Sequence, residues 1–152
     1  ELLIVIVVIG ILAAIVIVAF NGVQNRANNT SVQSDLKNIA KLIEQHKALN
    51  GDTVPAYIDN LPGVKVSRSA YGNHYNNGSG LFNLLYCYNA NNDYAIVAIS
   101  KSGDDFQYSS VQGGLGPHGY DLIGSGTSCP RTGVTGHIAR WGYSGGNWMG
   151  DL

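Results

Sequence analysis

The residues in this 152-residue chain that could do chemistry are few, and their spacing rarely suits it. His46, His74, His118 and His137 are scattered, with no H-x-x-x-H or H-x-H pair to grip a metal. Asp93, Asp104, Asp105 and Asp121 supply carboxylates, but no spacing among them wraps a calcium ion, and turn residues in water are the plainer reading. Gly114-Leu-Gly-Pro-His-Gly119 matches G-x-G-x-x-G, yet a proline interrupts it and no helix comes after it. The string therefore reads as a loop rather than a dinucleotide fingerprint. No serine, histidine and aspartate set suggests an activated nucleophile. The expectation is no cofactor, no metal and no enzyme. Two groups remain. Cys87 and Cys129, an even pair in a chain whose opening segment implies export, read as a disulfide, with two free thiols as the alternative. Glu1 is the other, because of the apolar run it opens.

After Glu1, every residue to Phe20 is apolar or glycine, and the next charge is Arg26. At about 1.5 Å per residue this run, as a helix, just crosses the ~30 Å hydrocarbon core of a bilayer. It has no polar stripe, so it does not suit the surface of a small domain. Lipid or a bundle of like helices must surround it. A carboxylate at its edge admits two readings: a residue held in the headgroup water, or a recognition group that meets a cation once the helix leaves lipid. Gly10 and Ala14 form a small-xxx-small pair that lets helices approach closely, or occur by chance in a run of small residues.

Glu1-Leu-Leu-Ile-Val-Ile-Val-Val-Ile-Gly-Ile-Leu-Ala-Ala-Ile15, with Ala19-Phe-Asn-Gly-Val-Gln-Asn-Arg-Ala27, resembles the N-terminal helix of type IV pilins and type II secretion pseudopilins. The resemblance is specific over residues 1–27 and architectural beyond. It implies a filament subunit held first in the cytoplasmic membrane and then, through assembly machinery, packed with identical copies in an extracellular pilus. It implies that Glu1 pairs with the N-terminal amine of a neighbouring subunit, and that four further residues and a basic leader belong ahead of Glu1. Leu2, Leu3, Ile4, Ile6, Ile9, Ile11, Leu12, Ile15 and Phe20 would form the filament core, with Glu1, Gly10, Ala14 and Val18 shaping assembly. Val18 stands where many relatives carry a helix-breaking proline, so less melting between Gly10 and Val18 is expected here. Adhesion, twitching motility and DNA uptake are roles the family fills. The alternatives are a pseudopilin or minor pilin, and a monomeric membrane-anchored binding module.

The elements that must position this helix come next along the chain. Val32, Leu36, Ile39, Ala40 and Ile43 recur at helical spacing, with Asp35, Lys37, Lys41, Glu44 and Lys47 set largely elsewhere. Glu44 and Lys47 suit an i,i+3 ion pair. One long helix to Leu49 is favoured over a break at Thr30-Ser-Val-Gln33, which reads as a capping box, and Asn50-Gly51 is the stop. Residues 51–80 read as loop, with a short strand at Val64–Ser67. Leu81–Tyr88, Tyr94–Ser100 and Phe106–Val111 read as an antiparallel meander, with Gly136–Tyr143 as a fourth strand. The middle strand is apolar on both alternating sets, so both sheet faces must be covered. Helix residues 28–50 supply one cover; the tail, with Tyr120, Leu122, Ile123, Ile138, Trp141, Tyr143 and Trp148, supplies the other. The nine tyrosines read as packing residues or as an adhesive surface.

The fold expected is α+β: a long protruding N-terminal helix packed on a 3–4-stranded antiparallel sheet, with a glycine-rich C-terminal region pinned by Cys87–Cys129. Its parts are the apolar helix 1–27 and a globular domain 28–152, divided at 50, 80 and 111. The partners expected are identical subunits, the membrane and assembly machinery. A net charge of −1 and sparse charged residues, 12%, offer no basic field for nucleic acid.

Overall fold

The computed structural model describes residues 2–72, 74–75, 81–119, 125–141, 143–144 and 147–148. For residues 2, 74–75, 81–82, 125, 140–141, 143–144 and 147–148 it describes the backbone alone. Glu1, Tyr120, Asp121, Leu122 and Ile123 lie outside the described residues. So do the side chains of Leu2, His74, Trp141, Tyr143 and Trp148.

One helix, α1 (Leu2–Leu49), runs unbroken through Gly10 and Val18 and past Asn28–Thr30. At 1.5 Å per residue it is roughly 70 Å long. The capping-box alternative fails for a local reason: the Thr30 hydroxyl donates to the Arg26 carbonyl at 2.9 Å. It bonds back one turn instead of satisfying the free N–H groups of a new helix start. The stop is where the sequence puts it. Gly51 takes φ +64°, and Asp52 N–H donates back to the Lys47 carbonyl at 2.8 Å, closing the last turn in the left-handed manner glycine permits. Lys47 pairs there with Asp52 at 3.4 Å, not with Glu44 as spacing suggested, because the reversing chain brings a carboxylate over the helix end.

The main sheet has five antiparallel strands. In chain order they are β3 (Leu84–Tyr88), β4 (Tyr94–Ile99), β5 (Asp105–Ser109), β6 (Gly114–Pro117) and β7 (Ile138–Trp141), and in space β6-β5-β4-β3-β7. β7 is the fourth strand the tail was expected to add, lying beside β3 with Cys87 opposite Ala139. β6 is one more than expected. It is made from the Gly114–Gly119 string read above as a loop, pairing Tyr108 with Leu115 at a sheet edge where Pro117 needs no donor. The first predicted strand is interrupted at Asn83, with β2 (Leu81–Phe82) pairing instead with β1 (His74–Tyr75). Val64–Ser67 is not a strand. It links two short 3-10 turns, Ile58–Asn60 and Arg68–Ala70. A short helix, α2 (Ser125–Arg131), and a small hairpin of β8 (Tyr143–Ser144) with β9 (Asn147–Trp148) complete the described elements.

Alternation on β4 divides two cores. Tyr94, Ile96 and Ala98 face α1 with Leu84 and Tyr86, meeting Val32, Leu36, Ile39, Ala40 and Ile43 of the helix. Ala95 and Val97 face the opposite way with Leu85 and Cys87, against Cys129 and Val134. A strand apolar on both sets is covered on both sides, as its pattern required. Tyr71, Tyr86, Tyr88, Tyr94 and Tyr108 pack in or against the helix-side core, while Tyr57 is exposed. Tyr86 lies 5.3 Å from Tyr88 and Tyr94 lies 6.2 Å from Tyr108, centroid to centroid. The Tyr86 hydroxyl donates to the Pro55 carbonyl at 2.9 Å, and burial holds the Tyr86 and Tyr94 phenols neutral well above their ordinary range.

Asp35 corrects the sequence reading. It is buried in the face that meets the sheet, where its carboxylate accepts from Ser67 N–H at 2.6 Å, Ser67 Oγ at 3.2 Å and the Tyr71 hydroxyl at 3.1 Å. Burial, and then the Asp35 charge, push the Tyr71 phenol well above its ordinary range. The helix is thereby tied to the 3-10 turn at Arg68–Ala70. Asp35→Ala removes the acceptor that the Ser67 N–H, the Ser67 hydroxyl and the Tyr71 hydroxyl share. It should cost about 1–3 kcal/mol, read as a fall in Tm by circular dichroism of the chain in mild detergent.

Candidate assembly and anchoring helix

The candidate site begins where the two cores end. From Leu3 to Ala27 every residue of α1 is exposed, and burial starts at Asn28. Among the residues assigned to the helix surface, Leu3 is 73% exposed, Ile9 59% and Phe20 59%, values normal for polar rather than apolar side chains. Ile4, Ile6, Ile11, Leu12, Ile15 and Val18 are likewise bare. This is the one helix among the described residues long and apolar enough to cross a membrane. Gly10 and Ala14 share a face at i,i+4. A side chain at Gly10 would meet nothing within 4 Å, so the glycine there is not required by any contact within the chain. Ala14, Ile15, Val18 and Ala19 border a shallow apolar depression made by the two short side chains.

At the neck, where α1 leaves the domain, a polar clamp replaces apolar packing. Asn29 donates through Nδ2 to Asp104 at 2.6 Å and accepts from Ser102 Oγ at 2.6 Å. Ser102 and Asp104 belong to the turn between β4 and β5. That turn is itself fastened to the chain after the 3-10 turn at Arg68–Ala70. Tyr71 bridges Ser100, and Lys101 N–H donates to the Ala70 carbonyl at 2.8 Å. Gly72 permits this approach, since a Cβ there would sit 2.6 Å from the Ser100 carbonyl oxygen.

On the far face of the sheet, Cys87 of β3 is bonded to Cys129 of α2, with Cα atoms 5.7 Å apart, as the cysteine count implied. Closing 42 residues of chain stabilises the fold by about 3–4 kcal/mol through the unfolded state. Thr132 and Ser109 extend the attachment, Ser109 Oγ donating to the Thr132 carbonyl at 2.6 Å. A relay lies alongside, exposed at Gln112 and buried at Gln107 and His118. Gln112 Nε2 donates to the Arg131 carbonyl at 2.7 Å, so its oxygen accepts from Gln107 Nε2 at 2.6 Å. The Gln107 oxygen therefore faces His118 Nδ1 at 2.7 Å. This order puts the histidine proton on Nδ1 and leaves Nε2 a bare acceptor, buried and without a hydrogen bond among the described residues.

Asn29, Asp35, Ser102 and Gln107 were not singled out from the sequence as functional residues, and Asp104 and His118 were weighed there only as metal ligands and set aside. Only Asp35 carried a usable signal. At 100° per residue it falls within about 40° of Ile39, on the buried stripe. The others are brought together across long separations that no local spacing reveals. Among the described residues no cluster of three histidines, cysteines or carboxylates is placed to hold a metal. Compared with protein-family models, with curated proteins and with solved structures, the chain finds no significant match in any of the three.

Burial lowers the His118 pKa from its ordinary 6.5; Asp105 opposes this and Arg131 adds to it. The folded chain then binds fewer protons than the unfolded one, so stability is complete above pH 6.5 and falls as the pH drops below it toward the folded value. Each tenfold difference in proton affinity between the two states is worth about 1.4 kcal/mol. The Tm should therefore fall between pH 7 and 5. His118→Gln, which keeps a donor for Gln107, should flatten that profile in a thermal-melt series.

Proposed function

We propose that this chain is the structural subunit of a helical surface filament of the type IV pilin kind. The observation that carries the proposal is the bare apolar surface of α1 from Leu3 to Val23, on a continuous helix whose described domain leaves it uncovered. Hydrating such a surface is costly. Burying one side chain of this size is worth about 1.5–3 kcal/mol, which makes the whole run worth tens of kcal/mol. Two surroundings remove that cost: a bilayer, which a helix of this length spans, and a bundle of identical helices. Moving from one to the other keeps the apolar surface covered throughout, so the exchange is nearly balanced. A motor of modest force can then drive it in either direction.

The rest of the architecture supports the same reading. A long N-terminal apolar helix over an antiparallel sheet, with a disulfide securing the C-terminal region, is compatible with a pilin-like fold. The resemblance of residues 1–27 to pilin helices points the same way. In the filament the helices lie inside and the sheet domains outside. Glu1 fixes axial register through a cation on a neighbouring copy, because a mispaired subunit would bury an unpaired carboxylate. The location proposed is the cytoplasmic membrane before assembly and the cell surface after it.

Glu1→Ala should leave membrane insertion intact and reduce sheared surface filaments at least severalfold, counted by electron microscopy and immunoblot. Undiminished filaments from that variant would remove Glu1 from the mechanism. Dispersed monomers of the full chain in detergent-free buffer would remove the filament reading altogether.

A further inference from the structure

The neck of the molecule holds a polar notch of about 360 Å³, lined by Gln24, Asn25, Ala27, Asn28, Ser69 and Lys101. Its walls are fastened all round. Asn29 is clamped to Ser102 and Asp104, Asp35 to Ser67 and Tyr71, and Lys101 N–H to the Ala70 carbonyl. Its interior is not. The side chains of Gln24, Asn25, Asn28, Ser69 and Lys101 make no hydrogen bond or ion pair with another described residue. The notch thus presents an ammonium, a hydroxyl and three amides, all able to donate, on walls that are already rigid. The neighbouring carboxylates, Asp104 and Asp35, already accept from Asn29, Ser67 and Tyr71.

The height of this notch is set by the helix. With the apolar run to Phe20 in the hydrocarbon core, Gln24 and Asn28 lie about 6 and 12 Å beyond its edge at 1.5 Å per residue. The headgroup layer is about 5–7 Å thick on each side of that core. The lower wall of the notch therefore stands at the level of the lipid phosphates, and the Asn29 clamp prevents the domain from lifting away.

We propose that this notch binds the phosphate of an anionic membrane phospholipid while the subunit waits in the bilayer. Lys101 supplies the charge, and Ser69 and Asn25 supply hydrogen bonds. The lipid must be released when the helix leaves the membrane. This site rests on the membrane-held state proposed above.

The test uses the full chain in nanodiscs of equal parts phosphatidylglycerol and phosphatidylcholine, followed by gentle extraction and native mass spectrometry of retained lipid. The wild type should retain phosphatidylglycerol in roughly fivefold preference. Lys101→Ala should bring the ratio toward one, and Lys37→Ala, which removes the same charge about 25 Å above Phe20, should leave it unchanged. An inserted chain without preference would overturn the phosphate site alone. So would equal losses in the two lysine variants, since they would mark a general attraction of charge. Binding of inorganic phosphate, detected by phosphorus NMR in phosphatidylcholine nanodiscs and lost in Lys101→Ala, would overturn the lipid assignment if no lipid preference accompanied it. A chain that fails to insert would overturn the membrane reading itself.

Discussion

Everything in this molecule answers to one mismatch. The first half of α1 is apolar on every side, and the chain has only one sheet face to offer a helix, which the second half of α1 already fills. The opposite face is taken by Cys129 and Val134. Among the described residues no surface of the domain shelters Leu3 to Val23, and these side chains call for cover from elsewhere. Hydrophobic burial thus acts twice along one helix. Up to Ala27 it demands neighbours; after Asn28 it holds the domain together.

Because the two halves are one continuous element, the domain must grip its half firmly, and it does so with polar contacts as well as packing. Apolar contact resists separation but tolerates sliding and rotation. Asp35, with three donors converging on it, fixes the rotation of α1 against the 3-10 turn at Arg68–Ala70. Asn29 fixes its height against the turn between β4 and β5. The disulfide and the His118–Gln107–Gln112 relay secure the far layer, which is too short and too glycine-rich to hold by burial alone.

Sequence patterning revealed those features governed by period. The helix and its stop at Asn50-Gly51 follow from 3.6-residue recurrence and turn chemistry, and the meander follows from β-branched runs between Asn- and Gly-rich turns. The double cover of β4 was legible because both alternating sets are apolar. What escaped was set by tertiary contact. Gly114-Leu-Gly-Pro117 has almost no strand propensity, and becomes one only because β5 offers an unpaired edge. Asp35 is charged, so composition placed it in water, whereas three donors from residues 67 and 71 offset the penalty of burying it. Lys47 turned from Glu44 to Asp52 because a left-handed glycine reversed the chain over it. In the apolar run the reverse holds: composition alone showed a surface that needs covering, and no fold could hide it.

The clamp at Asn29 also has a mechanical meaning. Axial tension on the projecting rod enters the domain first through Asn29 and, about 9 Å farther along, through Asp35. With two such points along the rod, a pull on it is divided between the contacts of Asn29 and those of Asp35. Ser102 and Asp104 pass that load to the turn joining β4 and β5, the central strand and its neighbour. Force on the rod therefore reaches the middle of the sheet as well as the helix-side core.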